Sequence, residues 1–152
     1  MTAGEIDREV TDRLREVTVQ LSLLNHQVSG LVGLQAVDLD CLDIITREGP
    51  LTPSALARQA GLHPATTTGV LDRLERAGWI SRERVPGDRR AVHVRAVPGR
   101  GDDEILALYR PLVATIGEVY THFTDAELAT VAAFLGRVVE AGRAATAELA
   151  GR

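Results

Sequence analysis

The sequence contains no lysine: all 17 of its Lys/Arg residues are arginine. It has a single cysteine, Cys41, so no internal disulfide can form, which fits a reducing compartment. No apolar run approaches the roughly 20 residues that a helical membrane span needs. The N-terminal stretch MTAGEIDREV is acidic and polar, unlike a secretory signal. A cytoplasmic location with no membrane partner is therefore expected. The four histidines, His26, His63, His93 and His122, are scattered, and neither a His-x-x-x-His nor a Cys-x-x-Cys spacing occurs, so no metal site is expected. There is no Gly-rich phosphate-binding loop and no nucleophile elbow. The acid pair Asp102-Asp103 falls at a helix start, where it suits the helix dipole rather than a reaction. Neither an enzyme nor a cofactor is expected.

What is present begins with an uneven charge. At 152 residues the chain suits one domain with arms, and its net charge is −4. That total argues against a nucleic-acid partner, but its distribution reverses the argument. Residues 54–100 carry nine arginines and four acids, a local +5, which leaves −9 on the remainder. Binding to phosphate follows the local field, not the total.

The chain is organised around residues 52–97. Thr52 is a good N-cap and Pro53 suits the first helical position. Gly61 ends that short helix, since a left-handed C-terminal residue is cheapest as glycine. Leu62 turns inward and Pro64 opens a second helix. There Thr67, Val70, Leu71 and Leu74 recur at helical spacing and are expected inside, leaving Ala65, Thr66, Gly69, Asp72, Arg73 and Arg76 outside. Gly78 ends this helix; two β-like runs, 79–85 and 91–97, then flank the charged turn Pro86-Gly87-Asp88-Arg89-Arg90. Two helices across a tight turn, the second polar outside and apolar inside, make a helix-turn-helix. The second helix has the diameter to enter a DNA major groove, with the hairpin beside it as a wing.

The stretch resembles the winged helix-turn-helix of the MarR family of bacterial transcriptional regulators. The resemblance rests on Leu56-Ala57, Gly61-Leu62, Leu71-Asp72-Arg73-Leu74-Glu75, Gly78-Trp79-Ile80 and Asp88-Arg89-Arg90, in that order and spacing. It implies a transcriptional regulator, most often a repressor, with double-stranded DNA as partner. It also implies a wing-tip Asp-x-Arg, here Asp88 and Arg90, whose arginine enters the minor groove while the aspartate holds it. The sequence departs from the family at Gly69, where relatives often carry a base-reading arginine, and at Ala96-Val97, where a Leu-Thr pair is usual.

The candidate recognition residues are Pro64, Ala65, Thr66, Thr68, Gly69 and Arg73. Ala65 and Thr66 are the best placed for base edges, because a threonine hydroxyl donates or accepts and its methyl suits that of thymine. Thr68 and Arg73 are expected nearer phosphate; the competing reading for Arg73 is an ion pair with Asp72 or Glu75 on a solvated face. The candidate wing residues are Arg82, Arg84, Asp88, Arg89 and Arg90, with Arg95 in the same cluster. A guanidinium in the minor groove gains from a narrow, strongly negative A·T-rich tract, and Asp88 could preorganise Arg90 by bidentate contact.

The flanks read as helices. Over 5–33, Ile6, Val10, Leu14, Val17, Leu21, Leu24 and Val28 form a long seam. Gln20, Asn25 and His26 interrupt it, either as surface polarity or as the lining of a small-molecule effector pocket; the resemblance puts such a pocket between the first helices and the DNA-binding lobe. A helix over 34–48 is expected to turn Leu39, Leu42 and Ile45 inward and Asp38, Asp40 and Asp43 outward. Cys41 reads as a small core residue, its acidity lowered by the aspartates nearby. Redox-responsive relatives carry their sensing cysteine in the first helix, where this chain has none. Gly49-Pro50 closes the helix, and Leu51 begins a short strand against the wing. A helix over 102–122 follows, and then Thr124-Asp125-Ala126-Glu127, a capping box, opens the last one.

The fold expected is mainly α with a small β-hairpin wing. Residues 34–101 form the winged helix-turn-helix lobe, while 1–33 and 102–152 form a helical dimerisation region. The terminal seams exceed what one small lobe can cover, so a homodimer reading a pseudo-palindrome is expected. The alternative is a winged-helix protein–protein adaptor without specific DNA readout, for which a glycine at 69 would suit.

Overall fold

Two prolines and two glycines punctuate the centre of the chain as the spacing predicts. A computed structural model describes residues 2–151; the side chains of Val85, Asp88, Arg89, Arg90 and Asp102 lie outside the described residues. Six α-helices and one antiparallel hairpin occur among those described: α1 (Ala3–Leu31), α2 (Ala36–Glu48), α3 (Pro53–Ala60), α4 (Pro64–Arg76), β1 (Ile80–Val85), β2 (Asp88–Ala96), a π-helical turn (Gly101–Leu106), α5 (Ala107–Tyr120) and α6 (Asp125–Ala150). None of these helices is long and apolar enough to cross a membrane.

The helix-turn-helix is set by its ends. Thr52 Oγ1 accepts from the Ala55 amide at 3.2 Å, capping α3 ahead of Pro53. Gly61 closes α3 at φ 64°, and a Cβ there would meet Thr146 Cγ2 of α6 at 2.6 Å, so glycine is required twice over. In α4, Thr67, Val70, Leu71 and Leu74 are the buried residues, the expected inner face. They pack with Leu39, Leu42 and Ile45 of α2, Leu56 of α3, and Trp79, Ile80 and Val94 around the wing. The Thr67 hydroxyl is satisfied inside this core by donating to the His63 carbonyl at 3.1 Å.

The wing is tighter than the sequence implies. Only Pro86 and Gly87 lie between the strands, with Gly87 at φ 90°, and β2 already begins at Asp88. The pairing slips between Arg84, opposite Val92, and Val85, opposite Asp88, so residues 88–90 belong to an irregular strand rather than to a loop. Leu51 does join the wing, by one bridge: its N–H donates to the Val94 carbonyl at 3.1 Å, and its carbonyl accepts from the Val94 N–H at 2.8 Å.

Two further expectations need correction. The helix expected over 102–122 is a wide π-turn followed by a shorter α5. Arg100 holds its start by pairing with Glu104, donating to the Ala77 carbonyl and lying 4.1 Å above the Trp79 ring. Asp38, expected outward, is instead 1% exposed.

The terminal helices are a scaffold without a core of their own. Within the described residues α5 and α6 bury no side chain, and α1 buries only Val28 and Ser29. Ile6, Val10, Val17 and Leu21 of α1 stand exposed, as do Val131, Phe134, Leu135 and Val139 of α6. The Thr124–Glu127 capping box forms as the sequence reads.

Candidate nucleic-acid interface

The outer face of α4 is small and open. Pro64, Ala65, Thr66 and Thr68 are exposed, and the Thr68 hydroxyl donates to the Pro64 carbonyl at 3.0 Å. At Gly69 a Cβ would meet nothing nearer than Arg73 Nη1 at 3.5 Å, an ordinary contact. Glycine there is not forced by packing; it leaves a bare stretch of backbone on the exposed side of the helix.

Two of the arginines expected at phosphate are engaged within the fold. Arg73 pairs with Asp38 of α2, not with Asp72 or Glu75. Its Nη2 donates to Oδ1 at 2.6 Å and its Nε spans both carboxylate oxygens at 3.2 and 3.1 Å. Asp38 Oδ2 also accepts the Gln35 amide at 3.1 Å, so one buried carboxylate caps α2 and fastens α4 to it. Its own hydrogen bonds to Asp38 hold the Arg73 guanidinium above its ordinary pKa. Asp72 and Glu75 are instead taken by Arg82 of β1, at 2.7 and 2.6 Å, which ties the wing to α4 and raises the Arg82 pKa, Asp72 being the larger cause.

Other cations remain free. Arg58 on α3, Arg76 on α4 and Arg84 on β1 are exposed and take part in no ion pair among the described residues. Arg95 faces Glu83 loosely at 3.7 Å. The Asp88, Arg89 and Arg90 side chains, the expected wing tip, lie outside the described residues. Arg58 and Arg76 count in the basic segment but escape a reading by motif. Arg58 has no acid three or four residues away, whereas Asp72, one turn before Arg76, is taken by Arg82 from the wing.

A cavity of about 400 Å³ lies where α1, α2, the π-turn and α5 meet, lined by Asn25, Leu39, Asp40, Asp43, Ile105, Leu106, Tyr109 and Val113 among others. Of the three residues expected at an effector pocket, Asn25 lines it. Gln20 and His26 do not; both are exposed on α1. Tyr109 donates its hydroxyl to Asn25 Oδ1 at 2.6 Å, bridging α5 to α1. Partial burial pushes the Tyr109 pKa up, helped by Asp40 and Asp43. Asp40 is raised too, first by desolvation and further by Asp43, against a hydrogen bond from Asn25 that lowers it. Cys41, on the opposite side of α2, is fully buried, its thiol pushed up to about 11 by burial and by Asp40 and Asp38.

Residues 34–92 match the model of the MarR family, so that match runs from just before α2 into the second strand of the wing. The HTH-type transcriptional regulator PecS of Dickeya dadantii is 30% identical over 136 residues, covering 85% of this chain and 79% of PecS. The chain belongs to the MarR family. YcgE of Bacillus subtilis, an uncharacterized HTH-type transcriptional regulator, is 29% identical over 137 residues, 90% of this chain and 88% of its own. The fold agrees with a MarR family protein from Bacillus stearothermophilus, at TM-score 0.68 and 22% identity over 92% of this chain and 97% of that one. It agrees likewise with the transcriptional regulator Tm0710 from Thermotoga maritima, at TM-score 0.64 and 24% identity over 86% and 92%. The chain is thus a MarR-family transcriptional regulator with the winged helix-turn-helix of a DNA-binding protein, and its relatives are regulators, not enzymes. Within that winged helix-turn-helix, α4 is the second helix and β1–β2 the wing.

Proposed function

We propose that the protein is a cytoplasmic homodimeric repressor, binding a pseudo-palindromic operator through residues 34–101 and self-associating through 1–33 and 102–152. The observation that carries this reading is the pairing of a small, open recognition face with free arginines at its borders. Pro64, Ala65, Thr66, Thr68 and Gly69 offer close approach to base edges, and Arg58, Arg76 and Arg84 supply phosphate contacts. Arg73 and Arg82 then act by setting the posture of α4 and the wing, and Arg90 by entering the minor groove from the tip. The exposed apolar rows of α1 and α6 supply the surface for a partner copy. An effector entering the cavity lined by Asn25, Asp40 and Tyr109 would change the spacing of the two lobes and release DNA. That is a coupling requiring unequal affinity for the two spacings.

Fluorescence anisotropy with DNA from upstream of the protein's own gene tests the reading against a scrambled duplex. Tight binding that falls steeply with salt and prefers the upstream DNA is expected. Binding indifferent to sequence, or none, would favour the adaptor instead. Arg90→Ala is expected to weaken operator binding without changing the unfolding temperature.

A further inference from the structure

The walls of the cavity between α1, α2, the π-turn and α5 carry charge of one sign only. Among the described residues Asp40 and Asp43 are its acids, and no arginine or histidine lines it. Asp43 is already paired with Arg47 on the next turn of α2. Asp40 takes part in no ion pair among the described residues; its hydrogen-bond partner is Asn25, which is itself held by the Tyr109 hydroxyl. The opposite wall, Ile105, Leu106 and Val113, is apolar. A recess with one unneutralised carboxylate, a phenol ring and an aliphatic wall repels anions and attracts a cation with an apolar body. Its volume, about 400 Å³, suits a small organic molecule rather than a bare ion.

We propose that this cavity takes an organic monocation, its charged end against Asp40 and its apolar body against Ile105, Leu106 and Val113. The proposal rests on the effector reading above and narrows it to a chemical class. Burial, and to a smaller degree Asp43, pushes the Asp40 carboxyl up, and a cation bound against it would favour the charged form.

Benzamidinium, benzamide and benzoate share a shape and differ in charge, so calorimetric titration of the full-length protein with each tests the class directly. Benzamidinium is expected to bind about tenfold or more tighter than the other two, the scale of one charged hydrogen bond. Asp40→Asn is expected to reduce benzamidinium to the affinity of benzamide. Benzoate binding as tightly as benzamidinium would overturn the proposal, as would an Asp40→Asn variant of unchanged affinity, or no binding of any of the three at millimolar concentration. Release of operator DNA is read separately. Benzamidinium that binds at Asp40 but releases no DNA defeats the effector reading and leaves the ligand class standing. Release by benzoate does the reverse.

Discussion

Arg73 of α4 grips Asp38 of α2 with two nitrogens, 35 residues away in sequence, and the acid is 1% exposed while the arginine side chain is 38% exposed. The two partners are therefore not equivalent. Arg73→Ala strands a buried carboxylate whose remaining hydrogen bond is to the Gln35 amide, and is expected to cost about 3 kcal/mol. Asp38→Ala leaves a guanidinium free to swing into water and is expected to cost about 1–2 kcal/mol. The double variant should lie close to Asp38→Ala rather than at the sum. Urea unfolding of the three variants checks the order; equal losses for the two single variants would show that the carboxylate is not effectively buried.

The division between engaged and free arginines predicts a division in salt dependence. Arg76→Ala and Arg84→Ala are each expected to flatten the plot of log affinity against log salt by about 1.8, one phosphate per protomer and so two per dimer, with unchanged urea midpoints. Arg82→Ala should change the slope less, yet lower stability by up to about 1 kcal/mol, as it frees Asp72 and Glu75. Slopes measured on one DNA duplex decide between these assignments.

Leu135 lies in the exposed apolar row of α6, a helix with no buried residue among those described. Leu135→Arg is expected to convert the dimer to monomer by light scattering. Operator affinity should fall more than about tenfold, because the second half-site is then no longer held at high effective concentration.

Alkaline stability follows from Cys41, whose ordinary pKa of 9.0 is raised to about 11 in the fold. Above pH 9 the unfolded chain sheds this proton while the folded chain keeps it, so the unfolded state binds fewer protons and stability falls with rising pH. The stabilisation is whole below about 9 and lost through about 11, at most about 2–3 kcal/mol. Tyr109 acts with the same sign. With no lysine in the chain this window is otherwise sparse. Urea midpoints at pH 8 and pH 10.5 should separate widely for the native protein and less for Cys41→Ala.

Much of this architecture is legible in the residue order because local chemistry sets it. Thr52-Pro53, Gly61, Pro64 and the Thr124 capping box each fix an end without help from distant residues. Asp38 was half legible. It sits four residues before Leu42 and seven before Ile45, on the buried stripe of α2, and its charge argued it outward against that periodicity. What reverses the charge argument is Arg73, a partner that no helical spacing reveals. The same holds for Arg82, whose acids lie on another element, and for the cavity, where Asn25 meets Tyr109 84 residues away. A row of arginines in sequence does not say which are spent on the fold and which remain for DNA.

The hairpin is fastened at its root, where Val94 bridges to Leu51, and again at Arg82, which reaches α4. Beyond Arg84 the strands lose their regular register. With one tie on each strand, the base of the hairpin is braced both against the α2–α3 connection and against α4, so wing and helix turn as a single piece and cannot hinge at their junction.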